Sequence, residues 1–429
     1  MSRRGARDPP MIDVRPSGPD DPRPRVVWFV NQYAGSADHG MEFRHYELGR
    51  ELVRLGATVV IISGSYSHLF ARQPAVAGAY TVEPLDGLTY CWVRVPTYRR
   101  AISIGRVWNM IVFMLRLYRL PTGRLPEPDA IVVSSPSLYP ILPAARWARR
   151  FGSRLLFEVR DVWPLTLREL GGLSPRHPLV FTMQWFEDRA YRVADRIVSV
   201  LPALASHLAD RGADPGKLTV IPNGVSADVL AEPTTATVPP STTGDGDRPF
   251  RVGFVGTLAL ANAIDNLLEA ARLLDGERIE IVIVGQGSEG DRLRSLAADL
   301  PAVRFVGAIP KADVPSTLSG FDVCYVGYHK SPLYRFGISP NKVYDYMAAA
   351  RPIILAADGA NDLVQEADCG LTIPPDDAVA LAAAIRSMRD LPTDRRQAMG
   401  SNGRTWVARE RSYATLARQY DPLLFGAGR

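Results

Sequence analysis

The stretch YRFGISPNKVYDYMAAARPIILA, residues 334–356, concentrates side chains able to do chemistry. Pro340 suits the first turn of a helix that carries Asn341 and Lys342. Tyr344, Asp345 and Met347 fall on the next turns, and RPIIL begins a strand. A lysine is disfavoured at the positive end of a helix, so it calls for an anion. A diphosphate held by Lys342, Ser339 and the helix N-terminus supplies one. Asp345, one turn along from Asn341, can accept hydrogen bonds from a ribose diol. The plainer alternative is a surface lysine paired with a nearby acid.

Glycine loops at strand ends offer further anion contacts. NQYAGSADHG, with Gly35 and Gly40, joins a strand to a helix, but it lacks both the G-x-G-x-x-G spacing and a Walker lysine. A P-loop hydrolase is therefore excluded, and a tight turn that needs glycine is the competing reading. His39 and Glu42 beside it are either a helix-start pair or site residues. Gly256 in GFVGTLA, and Gly285 and Gly287 in IVIVGQGSEGDRLR, also follow strands, where open parallel sheets bind ligands. Glu158 and Asp161 share one strand end, but their neighbouring arginines point to ion pairing rather than to the carboxylate pair of a hydrolase.

The elements that position these residues alternate almost throughout, which predicts an α/β fold of parallel sheets covered by helices. Arg25–Val30 reads as a strand. Met41, His45, Leu48, Leu52 and Leu55 follow at helical spacing, and Thr58–Ser63 is the next strand. Further strands are expected at Ala130–Ser134, Arg154–Val159, Arg196–Val200 and Lys217–Ile221. A second series comprises Arg251–Val255, Ile279–Val284, Val303–Val306, Val323–Val326 and Pro352–Ala356. Residues 231–249, rich in Thr, Pro, Gly and Asp, read as a linker between two halves, 25–230 and 250–410. Residues 1–24 carry no apolar run and read as a disordered tail, not a signal peptide.

Cys91, Cys324 and Cys369 are odd in number and widely spaced, which excludes a disulfide framework and fits a reducing, cytoplasmic setting. The net charge of +5 is uneven: residues 87–126 hold seven arginines and no Asp, Glu or Lys. A nucleic-acid binder spreads basic and aromatic residues over its reading surface, so nucleic acid is not the expected partner. An anionic small molecule or the inner face of a plasma membrane fits residues 99–124 better. Met110–Leu115 is too short to cross a bilayer, which takes about 20 apolar residues. The helix pattern there has two readings, a peripheral membrane helix or one buried in protein.

Taken in order, NQYAGSADHGMEFRHYELGRELVRLGATVVIIS, FEVRDVWP, VIPNGV, FVGTL, VGQGSE, VRFVGAIP and SPNKVYDYMAAARPII resemble a family 4 glycosyltransferase of the GT-B fold, close to the WbuB-like group. The resemblance spans residues 25–425. It implies two Rossmann-like domains facing each other across a cleft, with the final helix, residues 411–424, crossing back to the first. The C-terminal half then takes the nucleotide-sugar donor and the N-terminal half most of the acceptor, with Gly35, His39, Gly40 and Glu42 on the acceptor side. Gly256, Thr257, Gly285, Gly287 and Asn341 border the donor, Lys342 and Ser339 meet its phosphates, Val306 to Ile309 hold the base, and Asp345 holds the ribose. The reaction implied is metal-independent and retaining, by front-face attack in which the departing phosphate helps deprotonate the acceptor.

The chain departs from that family at three places. Gly337 and Asp345 occupy the positions of two glutamates separated by seven intervening residues. Thr257 stands where many members place an arginine and a lysine nearby, which gives Lys342 and Arg335 the task of neutralising the diphosphate. Arg160 replaces a histidine common before Asp161, so the sugar-facing role passes to Arg160 or Asp161. The expected activity is transfer of a hexose or N-acetylated amino sugar from a UDP-sugar to a glycan or polyprenyl-linked acceptor in bacterial surface polysaccharide synthesis. The donor is a substrate, and no cofactor is expected. A UDP-N-acetylglucosamine 2-epimerase-like isomerase and a non-catalytic sugar-nucleotide-binding protein are the alternatives. A nicotinamide dehydrogenase is disfavoured, because no acidic residue follows the first glycine loop at the spacing of a ribose contact.

Overall fold

The computed structural model describes residues 24–40, 42–99, 103–169, 171–231 and 248–426. The expected tail up to residue 23, the linker over 232–247, and Met41 and Arg100 lie outside them. The chain divides into two compact units, Met1–Pro222 with Leu416–Arg429, and Asn223–Thr415.

In the first unit the strands are β1 (Arg25–Val30), β2 (Ala57–Gly64), β3 (Tyr80–Leu85), β4 (Leu88–Val93), β5 (Ala130–Ser134), β6 (Arg154–Val159), β7 (Arg196–Ser199) and β8 (Leu218–Val220). Their order is β3-β4-β2-β1-β5-β6-β7-β8, parallel apart from the β3–β4 hairpin. β1 is buried from Val26 to Val30, as a central strand covered on both faces must be. Asp86 and Gly87, both at positive φ, turn the hairpin. Neither β3 nor β4 was expected above, although an Asp-Gly pair between strand-like runs is a hairpin signal.

The second unit carries β9 (Phe250–Val255), β10 (Ile279–Val284), β11 (Val303–Gly307), β12 (Val323–Gly327), β13 (Ile353–Ala356) and β14 (Gly370–Ile373), in the order β11-β10-β9-β12-β13-β14 and parallel throughout. Alternate residues of β10 fill two cores. Ile281 and Ile283 pack with Leu267, Leu268 and Ile385, while Val282 and Val284 pack with Tyr346, Met347 and Val407. That two-sided burial explains why its sequence is a continuous apolar run.

The division falls at Pro222–Asn223 rather than in residues 231–249. Asn223 is already tied into the second unit, its backbone N–H donating to Ser339 Oγ at 2.9 Å and its Nδ2 to the Ser339 carbonyl at 2.7 Å. Val225 pairs with the Arg411–Tyr413 backbone and lies in that unit's core. The return to the first unit comes at Leu416 rather than 411, inside the helix Tyr413–Phe425. There Tyr420 is buried with its hydroxyl 3.2 Å from Glu158 Oε1, and Asp421 pairs with Arg25 at 3.0 Å.

The helix Ile104–Leu117 is buried on one face and exposed on the other. Asn109, Met110, Phe113 and Leu117 face the core, whereas Ile104, Trp108 and Leu115 are exposed. No helix among the described residues is long and apolar enough to cross a membrane.

Candidate active site

The strand order of the second unit reverses between β9 and β12, since β10 and β11 lie on one side of β9 and β12 to β14 on the other. Open sheets leave a crevice outside the carboxyl ends at such a point. Gly256 follows β9 there, and the helix Asn341–Ala348, between β12 and β13, begins on the same side. Pro340 is its N-cap, and no side chain caps its first turn. A Cβ on Gly256 would sit 3.7 Å from Lys342 Cε, so lysine and glycine turn are in contact.

Lys342 is half-buried. Its Nζ hydrogen-bonds to Asn262 Oδ1 and lies 4.7 Å from the centroid of Phe254. Asn262 in turn donates from Nδ2 to the Thr257 carbonyl at 2.7 Å. Desolvation brings the amine down to about 7. The lysine is thus not paired with an acid, as the plain reading required. Nothing in the sequence singled out Asn262, which stands 80 residues away.

Gly285 and Gly287 serve the neighbouring turn. A Cβ on Gly285 would lie 1.9 Å from the Gly256 carbonyl oxygen, and one on Gly287 2.2 Å from that of Leu258. The Gly256 N–H donates to Val284 O and the Leu258 N–H to Gln286 O, both at 3.0 Å. These glycines are therefore required for two loops to pass at backbone contact.

Other expected residues find different places. Ser339 Oγ accepts from Asn223 N and lies 3.2 Å from the Tyr344 hydroxyl, so it fastens the entry of the chain into this unit and is not set aside for phosphate. Arg335 is exposed; its Nη1 donates to the Pro332 carbonyl and its guanidinium lies 4.4 Å from the Phe336 ring. It thus folds back on its own turn. Asn341 is exposed at the helix start. Burial pushes the Asp345 carboxyl up, opposed by Lys311. Val306 is exposed at the end of β11, whereas Ile309 packs against the core. Gly337, where the family pattern has glutamate, adopts φ 94° and ψ 177°, a region essentially closed to residues with a Cβ.

In the first unit the loop after β1 is closed on itself. Gly35 N–H donates to Glu42 O, and the N–H groups of His39 and Gly40 donate to Ser36 O. These donors are consumed within the loop, as in the tight turn weighed above against an anion site. His39 is 3% exposed, with Nδ1 2.8 Å from Ser36 Oγ and its ring 4.8 Å from Trp92; desolvation lowers its pKa. Gly40, at φ 96°, passes so close to Ala71 N that a Cβ would lie 2.9 Å away. His39 and Gly40 thus brace residues 70–72, while Gly35 is held by Glu42 and accepts from the Tyr90 hydroxyl at 2.7 Å.

Arg160 follows β6, its N–H on Ser135 Oγ at 2.9 Å and its guanidinium paired with Glu42. The exposed Asp161 has its carboxyl pushed up to about 6 by desolvation and Glu42, with Arg160 acting oppositely. Glu158 stands apart, fully buried. Its Oε1 accepts from Arg44 Nε at 2.9 Å and Oε2 contacts His45 Nε2 and Ser134 Oγ, both at 2.8 Å. Against desolvation, Arg44 and His45 hold this carboxyl well below its usual range. Arg44 also donates to the carbonyls of Ile221, at 2.8 Å, and Pro222, at 2.6 Å. This is ion pairing, as expected of Glu158, and it anchors the last residues of the unit.

Residues 39–224 match a family model described as glycosyl transferase 4-like domain, and residues 249–390 one described as glycosyl transferases group 1. Together these take in well over half of the chain. The chain is 25% identical over 298 residues to a probable glycosyltransferase WbjE of Pseudomonas aeruginosa, covering 67% of this chain and 72% of that protein. It is 29% identical over 241 residues to a D-inositol 3-phosphate glycosyltransferase of Kineococcus radiotolerans, covering 50% and 53%. Among solved structures, sucrose-phosphate synthase from Thermosynechococcus elongatus superposes with a TM-score of 0.68 at 18% identity, over 93% of this chain and 98% of that one. Anabaena HepE in complex with UDP gives 0.66 at 15%, over 94% and 100%. Two Rossmann-like units, each matched by its own transferase model, make this chain a glycosyltransferase of the GT-B type.

Proposed function

We propose that the second unit holds a UDP-sugar with its diphosphate at the first turn of helix Asn341–Ala348. From there a hexose or N-acetylated amino sugar passes, with retention and without a metal, to a glycan or polyprenyl-linked acceptor of bacterial surface polysaccharide synthesis. The observation that carries this reading is Lys342, a desolvated amine held over Phe254, in contact with the Gly256 turn at the point where the strand order reverses. A diphosphate restores to that amine the charge that burial disfavours. As the glycosidic bond to the donor breaks, negative charge grows on the leaving phosphate, and the ammonium together with free N–H groups of the helix start stabilises it. Asp345 is the ribose contact, and Gly256, Thr257, Asn341, Val306 and Ile309 border the donor. In the first unit, Arg160 and Asp161 take the catalytic role and Glu42 belongs to the acceptor side. UDP in the HepE complex is that protein's ligand, and it supports uridine as the base here.

The motif order favours the WbuB-like group, and a cytoplasmic enzyme in contact with the inner face of the plasma membrane through residues 99–124. A thermal-shift screen of UDP-, GDP- and dTDP-sugars tests the donor site. Stabilisation by uridine nucleotides alone, lost in Lys342→Ala, is expected. An equal shift in that variant removes Lys342 from the site. Incubation with UDP-sugar alone separates transferase from epimerase, since only the latter changes the donor without an acceptor.

A further inference from the structure

Six large apolar side chains among the described residues are more than half exposed, and four of them lie on two helices of the first unit. Ile104 (89%) and Trp108 (55%) begin a stripe on Ile104–Leu117 that continues through Ile111, Leu115 and Tyr118 at helical spacing. Phe181 (70%) and Trp185 (51%) stand one turn apart on the helix Pro178–Val193. Between them runs the helix Ile141–Phe151, which packs against both. Its exposed residues include Arg146, Arg149 and Arg150. The charges of Arg146 and Arg149 act on Tyr118, and Tyr139, in the turn that enters the middle helix, meets Phe186 of the last with ring centroids 4.7 Å apart.

Neither Ile104–Leu117 nor Ile141–Phe151 contains an acidic residue. The face is therefore aromatic and aliphatic at both margins and cationic in the middle. A second copy of the chain, paired by a twofold axis, would set arginines against arginines. An anionic bilayer meets both properties at once: tryptophan and phenylalanine enter the headgroup boundary, and arginines pair with lipid phosphates. Stable attachment needs two such signals together.

We propose that these three helices form one docking face for a bilayer rich in anionic phospholipid. This extends the membrane contact of residues 99–124 to two further helices, and gives the lipid-linked acceptor of the proposed transfer a surface from which to enter.

Flotation of the full chain with phosphatidylglycerol-rich vesicles, against pure phosphatidylcholine vesicles, tests it. The parent is expected to float with the first and not the second. Arg146→Gln with Arg149→Gln should lower partitioning by about 30-fold, at roughly fivefold per arginine. Trp108→Ser with Phe181→Ser should lower it by about tenfold or more. All four side chains are exposed, so melting temperature and the UDP-induced shift should stay unchanged. A lost UDP shift in the parent would strike the donor reading and leave this one standing. Parent protein that remains in solution with anionic vesicles overturns the proposal, as do variants that partition like the parent. A dimer dissolved by Trp108→Ser with Phe181→Ser, without vesicle binding, overturns it in favour of self-pairing.

Discussion

Replacing Lys342 by methionine should separate binding from stability. The amine is half-buried over Phe254 with one neutral partner, Asn262, and its pKa stands at about 7. Since the folded value lies below the unfolded one, the unfolded chain holds a proton that the folded chain lacks between about pH 7 and 10. Stability therefore rises with pH across that window, and the cost is borne in full below it. The shift corresponds to at most about 5 kcal/mol, reduced by the solvent that still reaches the side chain. Lys342→Met removes the titrating group, so the free variant should melt no lower than the parent at pH 6.5 and should lose this slope.

Nucleotide binding should move the other way. A charge-assisted contact to phosphate contributes about 1.5–3 kcal/mol, so the variant should bind UDP roughly 10- to 100-fold more weakly. In the parent, binding above pH 7 should take up a proton, which calorimetry in two buffers of different ionisation enthalpy counts directly. Unchanged UDP affinity in the variant, or no proton uptake in the parent at pH 8, would refute the reasoning.

Gly285→Ala places a Cβ 1.9 Å from a backbone oxygen and should cost more than about 2 kcal/mol in urea unfolding. Gly276→Ala, at φ 75° with nothing within 4 Å, should cost only roughly 1–2 kcal/mol. Gly337→Ala should destabilise by about 1–3 kcal/mol, and Gly337→Glu should fail to raise turnover, because the backbone there excludes a side chain. Glu158→Gln leaves Arg44 buried without its counter-charge and should cost about 3–5 kcal/mol. Because the Glu158 carboxyl is depressed, its contribution is present above the ordinary carboxylate range and lost as pH falls through the folded value. Urea midpoints measured from pH 7 down to 3 should therefore fall less steeply in the glutamine variant than in the parent.

Much of the candidate site was legible because its signals are local. Pro340 before Asn341 and Lys342 marks a helix start within a few residues, and glycines after apolar runs mark strand ends. At Gly35 and Gly40 the sequence left a tight turn and an anion loop both open, since a loop able to present N–H groups can equally spend them on itself, as this one does on Ser36 and Glu42. The short strand β14 and the half-exposed β3 escaped because such segments carry little periodicity, and the buried β4 was passed over although Asp86-Gly87 before it marks a hairpin.

The sequence by itself determined two parallel α/β units, their strand-end loops, and a lysine where a helix begins, because backbone geometry and hydrophobic alternation are written over a few neighbouring residues. Only the tertiary structure decided which partners those residues meet: Asn262 for Lys342, Asn223 for Ser339, and Arg44, His45 and Tyr420 for Glu158. Such pairs stand from 80 to 262 residues apart, and their choice depends on how whole sheets and helices pack. No local propensity carries that information.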